Sequence, residues 1–443
     1  MTFQIHTMRN TFFKIILWAS FFCLIAFIIA WITGTPGLTG PLLTLFFVSL
    51  AISFHGHPKL KKFAYTIWIF AAVTVSMNYP QFFRQVGDFD LKRTIVPLLQ
   101  IIMFGMGSQL SIKNFADVIR MPRGVIIGIV CQFTIMPIVG VSIARAFGFP
   151  PEIAAGIILV GSSPSGLASN VMSFIARANL ALSVTLTAVA TMLAPLMTPL
   201  LMKLLAGQYV PIDFWGMMLS IVNIVILPIV AGLIFNAIGY GLTKWRSIVI
   251  QAIVYLLIIL AKNFLNFQIN DVSVQQFISA IAMDVFWFSI LPIAAALAFR
   301  YYARGRKGWL DKAMSLLSMI GIGVIITIIT AAGRDSLMTI GLALVLACLL
   351  HNLAGYTLGY WSCRLLKMDE KSCRTIALEV GMQNGGLASG IALEMGKVAT
   401  IGLAPAVFGP MMNVTGSSLA TWWRGKSGPE QASDPGDGET SNN

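Results

Sequence analysis

Glu379-Val380-Gly381-Met382-Gln383-Asn384-Gly385-Gly386-Leu387-Ala388-Ser389 sets a carboxylate, two carboxamides and three glycines inside a run otherwise apolar enough to cross a membrane. In hydrocarbon an ionisable side chain is costly and marks a functional site by default. Glycine-rich polar interruptions free backbone carbonyls and expose helix ends, and transporters use both to hold ions. The rest of the chain is the scaffold that makes such an interruption tolerable.

Composition fixes the class. Of 443 residues, 57% are hydrophobic and 11% charged, and mean hydropathy is +0.82. A soluble domain carries about a quarter charged residues, so the chain is an all-α polytopic membrane protein. The net charge of +13 lies in short Lys/Arg clusters between apolar runs, the pattern of cytoplasmic loops. It offers no continuous basic face for nucleic acid. Cys23, Cys131, Cys348, Cys363 and Cys373 have no C-x-x-C spacing and read as small core residues. Arg9 and Lys14 precede an apolar run to Ile32 that lacks a clear cleavage site, so an uncleaved first span is expected.

Apolar runs fall near 15–33, 41–54, 63–79, 95–110, 124–147, 153–175, 179–206, 214–240, 247–265, 281–301, 309–332, 336–362, 375–395 and 401–422. That predicts about 14 spans, the run at 41–54 being the shortest for a crossing. Basic loops then alternate. Lys59, Lys61 and Lys62, then Lys113, Arg120 and Arg123, then Arg177, Lys244 and Arg246 fall on one side. Arg300, Arg304, Arg306, Lys307 and Lys312, then Lys367, Lys371 and Arg374, and finally Arg424 and Lys426 continue the series. Both termini are expected in the cytoplasm, with Arg84, Lys92 and Arg93 the exception on the far side. The tail 427–443, rich in Gly, Pro, Ser, Asp and Glu, is expected to be disordered.

Two internal likenesses stand out. Ser165-Gly166-Leu167-Ala168-Ser169-Asn170 resembles Gly385-Gly386-Leu387-Ala388-Ser389-Gly390, 220 residues on. Paired glycine-interrupted helices in two halves point to a transporter site, although small-residue helix contacts also converge by packing alone. Ile226-Leu227-Pro228-Ile229 matches Ile290-Leu291-Pro292-Ile293, by duplication of a helix or by chance in an apolar alphabet.

Several side chains could carry chemistry. Glu379 needs a partner or a cation to stay charged when buried, and Gln383 lies one turn on. Carboxylate, carboxamide, hydroxyl and carbonyl oxygens suit a hard cation. With no second carboxylate nearby, a monovalent one is favoured. The plainer alternative pairs Glu379 with Arg374. Pro164 breaks the partner segment 161–170, with Ser169 and Asn170 just past the break. Ser183, Thr187 and Thr191 recur at four-residue spacing on one helix face. Gln132 sits mid-run without polar neighbours, and His351 and Asn352 occupy the corresponding span of the second half. No P-loop, dinucleotide fingerprint, H-E-x-x-H or triad context is present, so neither an enzyme nor direct ATP drive is expected.

The segments 161–199 and 379–389, with Ile102-Met103-Phe104-Gly105-Met106-Gly107 ahead of the Gln132 helix, resemble the bile acid:sodium symporter family over about residues 63–240 and 309–424. The resemblance implies an inverted-repeat transporter with panel and core domains and two crossing broken helices. Its ten-span core would be extended here by two N-terminal and two inserted helices. The implied division is 1–62 extra helices, 63–206 first repeat, 207–246 start of the second repeat, 247–308 inserted pair, 309–426 remainder and 427–443 tail. Carried over by motif, a first sodium site is Ser169, Asn170, Ser183, Thr187 and Glu379. A second is Gln132, Glu379, Gln383 and the carbonyls of Val380 and Met382. The chain departs from relatives at Leu167 and at Met411-Met412-Asn413, so their substrates do not carry over.

The expected function is symport, in a bacterial inner membrane, of a small or amphipathic organic anion with two sodium ions and no cofactor. Asn384 and Asn413 are the expected substrate contacts, and Ser165 and Gly386 line the approach. A proton-coupled transporter or exporter on the same fold, and a non-transporting membrane sensor, are the alternatives. The residues leave oligomeric state open.

Overall fold

The computed structural model describes residues 2–57, 60–111, 117–240, 245–270, 272–302 and 307–426. The expectations for the tail and for Lys59, Lys113, Lys244, Arg304 and Arg306 fall outside them. The chain is a helical membrane protein. Two helices lead, α1 (Thr2–Ile32) and α2 (Pro36–Gly56), followed by α3 (Ala64–Asn78). A two-stranded hairpin, Gln85–Val86 against Phe89–Asp90, precedes α4 (Ile95–Gln109). Then come α5 (Pro122–Phe147), the broken pair α6 (Pro151–Ser162) and α7 (Ala168–Ile175), and α8 (Leu180–Ala206). The second half holds α9 (Phe214–Gly239), α10 (Trp245–Ile269), α11 (Val274–Tyr302), α12 (Lys307–Ala332) and α13 (Arg334–Leu365). It closes with a second broken pair, α14 (Glu370–Gly381) and α15 (Gly385–Glu394), and α16 (Leu403–Lys426).

Among the described residues nine helices are long and apolar enough to cross a membrane. The run at 41–54, short in the sequence, is among them: Pro36 starts α2 five residues earlier, at a position where its missing N–H costs nothing. By contrast α3 and α4 are 15 residues each, and each broken helix spans only in combination with its partner.

The order long helix, broken pair, long helix occurs twice, as α5–α8 and α13–α16. These helices pack around one another, and α3, α4, α9 and α12 form a second layer against them. Asx residues start the key helices: Asn179, Asp213, Asp369 and Asn384 accept the N–H of Leu182, Gly216, Ser372 and Leu387. Each satisfies one of the orphan donors of a first turn. Both leading halves of the broken pairs are enclosed on all sides, from Ile153 to Ser162 and from Ser372 to Gly381. For α6, apolar all round, that is the expected place; α14 carries Arg374 and Glu379 into it.

The second internal likeness has a structural counterpart. Both α9 and α11 widen into a π turn, Val222–Ile226 and Phe286–Ile290, directly before Leu–Pro. Proline cannot donate to the preceding turn and its ring displaces the carbonyl there, so a π bulge is the local relief. The helices α10 and α11 pack on α9. They are joined by a pair in which Asp284 accepts from Lys262 at 2.8 Å and Asn263 at 2.7 Å.

Candidate functional site

The two breaks lie across each other. Pro164 and the extended backbone of Ser163 end α6, and Met382 is extended where α14 ends. Ser165 and Gln383 form an antiparallel bridge. Gly166 N–H donates to Met382 O at 3.0 Å and Asn384 N–H to Pro164 O at 2.8 Å. Non-helical backbone is tolerated at membrane depth only when its polar groups are satisfied within the protein, and here neighbouring side chains complete the task. Thr198 donates to Ser162 O at 2.8 Å, Gln132 to Ser163 O at 3.0 Å, Gln383 to Val380 O at 2.6 Å and Asn352 to Gly381 O at 2.8 Å. Thr415 in turn donates to Asn352 Oδ1 at 2.6 Å. The glycine at 355 permits this: a Cβ there would stand 2.9 Å from Gly381 Cα.

Just behind the crossing lies Glu379, 2% exposed. Its Oε1 accepts from Ser169 at 2.6 Å and Ser183 at 2.5 Å, and its Oε2 from Thr187 at 2.9 Å. The Asn170 amide oxygen lies 2.8 Å from the Ser183 hydroxyl and 3.2 Å from that of Thr187, and Ser169 Oγ also faces Gly166 O at 2.7 Å. Each of these hydroxyls has one proton and faces two acceptors. The cluster is therefore rich in oxygen and poor in protons, the donor balance of a small cation site.

Arg374 is not the partner of Glu379. It bonds Glu370 at 2.9 Å, one turn back on α14, and lies over the Trp423 ring. Among the described residues no ion pair reaches Glu379.

The structure thus brings together Ser169, Asn170, Ser183, Thr187 and Glu379. Gln132 and Gln383 meet on the other side of α14, Gln132 donating to Gln383 Oε1 at 2.8 Å. Gln132 Oε1 is buried with no donor, an acceptor open to a cation. The Met382 and Val380 carbonyls each already accept one bond. Thr198, Asn352 and Thr415, which hold the breaks, were not singled out as site residues from sequence. Asn352 stood out as a polar residue in a span; the two threonines gave no signal among neighbours that bond only their own helices.

Of the four expected substrate-side residues, Ser165, Asn384 and Gly386 lie together at the crossing and Asn413 stands on α16. Asn384 caps α15 through its side-chain oxygen at 3.0 Å from Leu387 N. Ser165 is buried at the bridge, and Gly386 faces Leu99. Asn413 is half-buried on α16, one turn past Gly409, which packs on Gly385. Two surface cavities, of about 480 and 420 Å³, lie away from the crossing.

The broken helices differ in how they meet the second layer. On α15, Gly390 packs against Leu99 of α4 and Ile224 of α9, and Glu394 accepts from Ser220 at 3.5 Å. By contrast α7 packs on α8, α14 and α16 and leaves Phe174 70% exposed.

The sequence profile of the Sodium Bile acid symporter family matches residues 96–268. An "Uncharacterized sodium-dependent transporter YocS" of Bacillus subtilis is 34% identical over 378 residues, covering 84% of this chain and 96% of that protein. A "Probable sodium/metabolite cotransporter BASS1, chloroplastic" of Arabidopsis thaliana is 30% identical, over 84% of this chain and 75% of its own. The "Ileal sodium/bile acid cotransporter" of Oryctolagus cuniculus is 29% identical, over 70% and 72%. Matched at this level along almost the whole length of its bacterial relative, the chain belongs to the sodium bile acid symporter family, a family of membrane transporters and not of enzymes.

Proposed function

We propose that the chain is a symporter that moves an organic anion with sodium across a bacterial inner membrane, with both termini in the cytoplasm. The observation that carries the reading is the buried Glu379 carboxylate inside hydroxyl and amide oxygens with too few protons to serve them. A proton on Glu379 would need no such cage. Sodium, a hard monovalent cation, uses all of it. Ser169, Asn170, Ser183, Thr187 and Glu379 hold one ion. Gln132 Oε1, Glu379, Gln383 and the Val380 and Met382 carbonyls hold a second, giving Glu379 to both.

The anion sits in front of the crossing, where the N-termini of α7 and α15 present positive helix ends to a carboxylate. Asn384 Nδ2, which makes no hydrogen bond among the described residues, and Asn413 are its contacts, with Ser165 and Gly386 along the approach. Residues 63–206 form the first repeat and 207–246 with 309–426 the second. The helices at 1–62 and 247–308 are additions outside the ten-span core. Because sodium ties Glu379 to α7 and α8, it fixes the helix ends the anion meets, and by linkage the anion tightens sodium.

The test is uptake, and thermal stabilisation of the purified protein, across a panel of small hydroxy acids, keto acids and bile acids. At least one anion should stabilise the protein in sodium and not in potassium or choline, and enter proteoliposomes only down a sodium gradient. Transport unchanged when potassium replaces sodium overturns the proposal. Tight binding without flux points instead to a sensor.

A further inference from the structure

We propose that the groove between α3 and α12 is a binding site for an anionic phospholipid, with the phosphate held by Lys61, a headgroup hydroxyl by His55, and an acyl chain lying along the helices. The groove is the cavity of about 420 Å³, and His55, Lys61, Tyr65, Trp68, Met319 and Gly323 are among its walls. On α3 the lining residues run from Ala64 to Ala72, and on α12 from Leu316 to Gly323. It therefore continues for two turns down the helices rather than stopping at the surface. Its depth comes from small residues: a Cβ at Gly323 would meet nothing within 4 Å. Tyr65 fixes the two walls together by donating to Met319 O at 2.9 Å.

Charge selects the occupant. His55 and Lys61 stand at the rim, and the chain has no Asp or Glu before Asp88. No acidic residue lines the groove, and among the described residues Lys61 forms no ion pair. His55 Nδ1 donates to Ala51 O at 2.9 Å, which leaves Nε2 of the neutral ring as an acceptor for a headgroup hydroxyl. Below the rim the walls are apolar, with Trp68 exposed on α3 and Leu316 and Ile320 on α12. A basic rim above an apolar furrow, flanked by Trp and Tyr at interface depth, matches a lipid with an anionic head. A soluble anion would leave the furrow empty, and a zwitterionic lipid would leave the basic rim without its counter-charge.

Native mass spectrometry of the full chain in neutral detergent tests this with phosphatidylglycerol, phosphatidylcholine and glycerol 3-phosphate as probes. Phosphatidylglycerol should be retained and should raise the melting temperature, and the other two should do neither. Lys61→Gln should weaken retention about fivefold, the effect of one basic residue near a lipid headgroup. Gly323→Phe fills the furrow with Lys61 intact and should abolish retention; if it does not fold, Gly323→Leu replaces it. Equal retention of phosphatidylcholine, stabilisation by glycerol 3-phosphate, or wild-type retention by both variants overturns the proposal. So does a dimer that Gly323→Phe dissociates, since the groove then receives a second copy of the chain. None of these readings depends on sodium coupling.

Discussion

Glu379 carries the sharpest tests. A hydrogen bond to a charged group contributes about 1.5–3 kcal/mol, so each hydroxyl removed from the cage weakens sodium by roughly tenfold or more. Thr187→Ala should therefore raise the sodium concentration for half-maximal uptake about tenfold while leaving the maximal rate near wild type. On the proposed two-ion site, Glu379→Gln removes the shared charge and should abolish sodium-dependent uptake with the protein still folded. The readout is initial uptake rate against sodium concentration, with melting temperature as the control. Persistent uptake in Glu379→Gln with a new pH dependence would move the coupling from sodium to a proton. Four members of this cluster were visible in the sequence because their spacing is local: Ser169 beside Asn170, and Ser183 one turn before Thr187. Arg374 turns to Glu370 and not to Glu379 because residues four apart share a helix face and residues five apart do not.

At the scale of the element, the breaks are held because the carbonyls of Ser162, Ser163, Pro164, Val380, Gly381 and Met382 each have a donor. Thr198→Val keeps the shape and leaves Ser162 O buried and unpaired, as Asn352→Ala does for Gly381 O. An unsatisfied buried group costs about 1–3 kcal/mol, so each variant should lower the melting temperature by several degrees. Asn352→Ala should also weaken sodium, since Gly381 O lies between the Val380 and Met382 carbonyls. Thr198→Val, on the far side of the crossing, should not. At the far end of the same helices the Glu152 carboxylate bonds Lys397 and, at 2.5 Å, Thr400. These partners, Lys397 first, hold its pKa below the ordinary 4.5. The contact is thus at full strength above pH 4.5 and fades as pH falls further, through the folded-state value. Lying partly exposed, it contributes about 0.5 kcal/mol or less. Glu152→Gln should accordingly cost a degree or so of melting temperature at pH 7, and that cost should shrink as the pH is taken below 4.5. The positions of the breaks could be read from Pro164 and the glycines. Apart from Gln383, the side chains that serve their carbonyls come from 29 to 36 residues away, and such pairings leave no local pattern.

For the whole molecule, the inequality between α7 and α15 matters most. Two broken helices in corresponding positions have unlike surroundings: α15 is packed onto α4 and α9, and α7 turns Phe174 outward. Repeats of similar sequence can exchange such surroundings at modest cost, which is the physical requirement for opening a central site to each side in turn. On that reading the contact of Gly390 with Leu99 is the closed side, and it must part once in every cycle. The contact is tight, since a Cβ at Gly390 would stand 2.6 Å from a Leu99 methyl. With Cys23, Cys131, Cys348, Cys363 and Cys373 replaced, cysteines at 99 and 390 should cross-link under mild oxidation. Uptake should then fall at least tenfold and return on reduction, with each single cysteine variant unaffected by oxidant. A cross-linked protein that still transports at the uncrosslinked rate would mean that α15 never leaves α4, and that the path to the anion lies elsewhere in the fold.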